Sequence, residues 1–164
     1  MSALLEPGER TVTGLWTTAC GVRRMDVPSI LRPFDIPLEG LQREFLALDT
    51  ALSEAKHPDG KVKMTVQVWR RGFELVHYSS SSDLVDWCFL HGTEPRHQDS
   101  GSVALLDPRA GSEGTAMPGL PWGREVTFRP SPGLLAVVPG WFTSTVRPVE
   151  EGQAVVVAVA SKTA

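Results

Sequence analysis

The chain has 164 residues, 41% hydrophobic and 21% charged, with a formal net charge of -3. That length suits one domain around one real core, and the composition is ordinary for a globular protein. The slight acidity builds no basic field, which argues against nucleic acid as a partner. Met1 to Arg10 is polar and acidic with no apolar stretch of the secretory kind, and the longest apolar run, Val155 to Ala160, is far too short to span a bilayer. Cys20 and Cys88 have no metal-binding or redox spacing. Free thiols in a reduced cytoplasm are therefore the expectation, with no membrane partner.

Along the chain, Thr11 to Cys20 is short and partly β-prone and reads as an early strand. Met25 to Pro33 is broken by Pro28 and Pro33 and reads as a loop. Leu38, Leu41, Phe45, Leu48 and Leu52 recur at helical spacing and predict an amphipathic helix. Asp35 is placed to cap it, Pro37 is tolerated in its first turn, and His57-Pro58-Asp59-Gly60 stops it. Such a helix needs a partner surface, most simply a sheet.

From Lys61 the pattern changes to strands. In Val62 to Trp69, Met64, Val66 and Val68 alternate with Thr65, Gln67 and Trp69. Leu84–Leu90, Ser102–Leu106, Glu125–Phe128, Leu134–Val138 and Ala154–Ala160 follow, separated by turn residues. Short strands at this spacing predict an all-β sandwich or barrel rather than βαβ units. Ala110 to Gly123, rich in Gly and Pro, reads as a surface loop.

Three stretches carry a resemblance. Gly133-Leu134-Leu135 leads through Val138-Pro139-Gly140-Trp141 to Val146-Arg147-Pro148. Ser100-Gly101-Ser102 precedes Leu106-Asp107-Pro108-Arg109. His77 to Leu90 runs without a gap, a few residues after Arg71-Gly72. Together they resemble a small branch of the 2-oxoglutarate/Fe(II)-dependent oxygenase superfamily, over roughly Lys63 to Ala160. The resemblance implies a mainly β double-stranded β-helix (jelly-roll, cupin-like) with one flanking helix. Residues 1–164 would form a single such domain, with an N-terminal strand, loop and helix in 1–60 and the β-helix core in 61–164.

The same resemblance implies where iron and 2-oxoglutarate would be held. The first ligand position falls on His77, the second on Ser79 and the third on Ser144. The carboxylate-pairing arginine is replaced by Ala154, and its small polar companion by Val156. A neutral hydroxyl is a poor iron ligand, and a methyl group cannot form the bidentate fork a carboxylate wants. The expectation is a degenerate site without a cofactor. A rival reading takes His97 and Asp99, spelling His-x-Asp, as iron ligands in an atypical Fe(II)/2-oxoglutarate oxygenase.

For an iron-free site, His77 is the acid/base candidate and Asp86 its orienting partner, or a base in its own right if desolvated. Gln67, Trp69, Ser79, Cys88, Trp141 and Ser144 are the candidate lining of a substrate pocket. The expected activity is cofactor-independent acid/base or templated chemistry on a small organic molecule: a cyclisation, isomerisation or dehydration. The alternatives are the atypical oxygenase and a non-catalytic module binding a ligand or a protein. A homodimer through exposed sheet edges or the helix is compatible with the fold.

Overall fold

In a computed structural model of the chain, residues 10–15, 18–25, 38–52, 61–108 and 125–163 are described. The expected Asp35 cap, the Pro37 turn, the His57–Gly60 stop and the Ala110–Gly123 loop lie outside them.

The early strand is a hairpin of two strands, β1 (Arg10–Leu15) and β2 (Thr18–Arg24). The leucine periodicity gives α1 (Leu38–Leu52). Then come β3 (Lys61–Trp69), β4 (Leu75–Tyr78), β5 (Leu84–Gly92), β6 (Val103–Leu106), β7 (Glu125–Phe128), β8 (Leu134–Pro139), β9 (Ser144–Val146) and β10 (Val155–Thr163). All pairings are antiparallel. One sheet has the order β1-β2-β8-β5-β10-β3, the other β4-β9-β6-β7. From β3 to β6, and again from β7 to β10, each strand passes to the other sheet, as in a double-stranded β-helix.

The elements that hydrophobic patterning alone missed are β4 and β9. β4, Leu-Val-His-Tyr, does not alternate, and β9 is only three residues long.

Two cores flank the six-stranded sheet. Between the sheets lie Cys20, Trp69, Trp87, Phe89, Val103, Leu105, Phe142, Val155 and Val157, among others. On the outer face, Leu41 and Phe45 of α1 pack over Cys88, Leu90, Leu135, Val137, Ala158 and Ala160, with Val62, Met64 and Val66 at the margin. Val68 shares the parity of Met64 and Val66 but is 52% exposed. Arg24, at the end of β2, donates to Ser131 Oγ at 2.6 Å.

Glycine is required at two joints. Gly133 has φ 86°, and a Cβ there would lie 1.9 Å from the Met25 carbonyl oxygen, where Met25 N–H donates to Gly133 O. At Gly140 a Cβ would lie 1.9 Å from Ser82 O. Gly140 ties the β8–β9 turn to the β4–β5 link, since Ser80 N–H donates to Gly140 O and Gly140 N–H to Asp83 O.

Candidate functional site

The backbone brings the three positions inferred for iron ligands to one place. Tyr78, between His77 and Ser79, is directly opposite Ser144 in the β4–β9 ladder. Ser144 shares the inward face of β9 with Val146, and its partner on β6, Leu105, belongs to the inter-sheet core. It is buried, and its hydroxyl donates to the Tyr78 carbonyl at 3.2 Å. Ser79 is exposed just past β4. His77 lies on β4, but its side chain is outside the described part of the structure.

Gln67 and Trp69 line the inward face of β3. Trp69 is fully buried, donates Nε1–H to Gln67 Oε1 at 2.9 Å, and stacks on Phe73 with ring centroids 5.1 Å apart. It therefore works as core at the closed end of the barrel. Trp141 is 55% exposed, stacked on Phe142, in the turn next to Ser80. It stands at the rim rather than within the barrel.

Asp86 and Cys88 sit elsewhere. On β5 it is Val85, Trp87 and Phe89 that face the inter-sheet core, whereas Cys88 and Leu90 face α1. Alternation puts Asp86 on the α1 side with Cys88. Asp86 therefore does not orient His77, and Cys88 does not line the barrel. The pair correctly shares a face, but it is the outer one.

Asp86 Oδ1 accepts from Ala160 N–H at 2.6 Å. Burial pushes its carboxyl up to about 7, with that hydrogen bond pulling the other way. Burial, with the nearby Asp86 charge adding to it, pushes the Cys88 thiol up to about 12, so it is no nucleophile at neutral pH.

His97 and Asp99 lie at the opposite end of the sheets, beyond the Gly92 end of β5. They border a cleft of about 350 Å³ shared with Ser100, Arg147, Pro148 and Glu150. Asp99 pairs with Arg129 at 3.0 Å, His97 Nδ1 accepts from Asp99 N–H at 3.4 Å, and Glu150 accepts from the backbone N–H groups of Arg96 and His97. These bonds make a loop brace.

The site residues that the sequence reading missed belong to the inner face at the mouth. Along β3 and β10, Thr65 faces Val159 and Lys63 faces Ser161, in rows continuing to Trp87 and Val85. Lys63 and Thr65 stay exposed, although Met64 and Val66 beside them are partly covered. The alternation that grouped Thr65 with Gln67 could have found Lys63 as well. Ser161 lay past the predicted end of its strand.

The fold is that of the 2-oxoglutarate/Fe(II) oxygenases. No protein-family sequence model and no curated protein matches the chain. Among solved structures, a Pseudomonas putida prolyl-4-hydroxylase superposes with a TM-score of 0.55 at 13% identity, covering 85% of this chain and 71% of that one. A 2OG-Fe(II) oxygenase-family oxidoreductase from Burkholderia pseudomallei gives 0.46 at 13% identity, with 93% and 73% covered. The non-heme α-ketoglutarate-dependent epimerase SnoN from nogalamycin biosynthesis gives 0.47 at 12% identity, with 93% and 65% covered. At such identities the likeness is one of fold.

At the positions that the resemblance implies, the donor set is poor for iron and 2-oxoglutarate. Of the three ligand positions two are serines, one of them already bonded to a backbone carbonyl. Among the described residues no group of three or more His, Cys, Asp or Glu side chains is placed to hold a metal. Ala154 and Val156, inferred as replacing the carboxylate clamp, have the outward parity of β10. Its inward positions are Val155, Val157, Val159 and Ser161, none of them cationic.

Proposed function

We propose that this chain is an oxygenase-fold enzyme that has given up iron and 2-oxoglutarate and acts on a small organic molecule in the barrel mouth. The observation that carries this reading is the Tyr78–Ser144 pair. Where the fold would present a metal ligand, a buried hydroxyl is spent on a strand carbonyl. A neutral alcohol brings a divalent ion no compensating charge and is only a weak donor.

The chemistry left to the site is proton transfer and positioning. His77 is the acid/base group by its place on β4: near neutral pH an imidazole takes a proton from one atom of the substrate and returns it at another. That fits an isomerisation, a dehydration or a cyclisation, in which the barrel wall holds the reacting conformation. Asp86, on the α1 side of the sheet, takes no part in this chemistry.

A small-molecule substrate is the proposed partner, with neither nucleic acid nor a membrane; no helix among the described residues is long and apolar enough to cross one. A cytoplasmic location and assembly as a homodimer remain proposals on the same footing.

The test is anaerobic reconstitution with ferrous ion and 2-oxoglutarate, then exposure to dioxygen and succinate analysis with and without candidate substrates. No succinate above the protein-free control is expected. Stoichiometric succinate, abolished by His77→Ala, would establish the atypical oxygenase instead.

A further inference from the structure

We propose that the mouth selects an organic anion, a carboxylate attached to an apolar and preferably planar body, with Lys63 as its charge partner. This rests on the reading that the mouth takes a small molecule, and it adds the substrate class.

Three placements point to it. Lys63 is on the inner face of β3, in the same cross-strand row as Ser161 and Val85, yet it is exposed and forms no ion pair with any described residue. Next to it the row Thr65–Val159–Trp87 descends from an exposed hydroxyl to a half-buried valine and a buried indole. Along the inward positions of β3 and β10, from Lys63 to Trp69 and from Val155 to Ser161, there are hydroxyls, an amide, apolar groups and one ammonium, but no carboxylate. Asp83, just before β5, donates its N–H to Lys162 O.

An exposed ammonium set beside low-dielectric core, with no acid in its rows, favours a ligand of opposite sign. Hydroxyl donors on either side of the ammonium suit a carboxylate's several acceptor positions. The apolar step toward Trp87 suits a ring.

The experiment uses the full chain and four probes: benzoate, succinate, benzyl alcohol and benzylamine. Binding is read from backbone chemical-shift changes at Lys63, Thr65 and Ser161 and from calorimetry. Benzoate is expected to bind best and to perturb all three residues. Lys63→Met is expected to weaken it about tenfold, while Lys63→Arg retains it.

Equal binding of benzyl alcohol, or unchanged benzoate binding in Lys63→Met, overturns the anion assignment and leaves the small-molecule mouth standing. Succinate binding better than benzoate overturns the apolar body. No shift at the mouth with any probe overturns both the assignment and the mouth as a ligand site.

Discussion

The two faces of the six-stranded sheet are built from the same alternation along strands of six to nine residues but end in opposite conditions. On the outer face, α1 seals everything from Leu135 to Ala160, and even a carboxylate, Asp86, is buried there. On the inner face, the core around Trp69, Phe89 and Val157 is just as dry, but it opens toward Lys63 and Ser161. Alternation states which residues keep company, and only the location of the helix states which company is inside the barrel. Chemistry can happen where the sheet opens, whereas the sealed face is a place for stability and for unusual titration.

The sharpest way to break this contrast is to uncover the sealed face. Phe45 is fully buried against the sheet, so Phe45→Ala is expected to cost about 3–5 kcal/mol in denaturant unfolding. Lys63→Ala on the open face should stay within about 0.5 kcal/mol. Similar costs for both would mean that the two faces are not differently packed.

Asp86 sharpens the contrast through pH. Its folded-state carboxyl is raised from the ordinary 3.8 to about 7, so between those values the folded protein holds a proton that the unfolded chain has released. Its contribution to stability is fully present below about pH 4, is lost as pH rises toward 7, and is flat above. The full loss corresponds to roughly 4 kcal/mol, as an order of magnitude, for that displacement. Asp86→Asn keeps an oxygen acceptor for Ala160 N–H and cannot ionise. It should be more stable than the parent at pH 8, with the gap closing toward pH 4. A gap that widens on acidification would show that the carboxylate is instead stabilised as an anion.

The smallest effect belongs to the mouth. Ser144→Ala removes one hydroxyl-to-carbonyl bond and should cost about 0.5–1.5 kcal/mol in stability. A loss of ferrous-ion affinity in that variant would assign the serine to a metal instead.

Much of the architecture was legible in the residues. The α1 leucines and the strands β3, β5, β7, β8 and β10 announce themselves by period and by the turns between them. The ligand positions were legible only through resemblance, because β4 and the residues after it do not alternate and β9 is only three residues long. Asp86 and Cys88 were grouped correctly yet assigned to the wrong layer, since a period of two carries no sign. His97 and Asp99 matched a three-residue spelling, but the topology put them at the far end of the barrel, where Arg129 and Glu150 already occupy their surroundings. Lys63 was not singled out, because nothing local to it distinguishes an inward exposed lysine from any other on a strand.

The central claim is that the mouth defined by His77, Ser79 and Ser144 cannot grip iron. The most direct measurement is anomalous diffraction at the iron edge from crystals equilibrated anaerobically with ferrous ion and 2-oxoglutarate. The account predicts no peak at that position and Ser144 Oγ still bonded to the Tyr78 carbonyl. A fully occupied iron peak bounded by those three residues would contradict it.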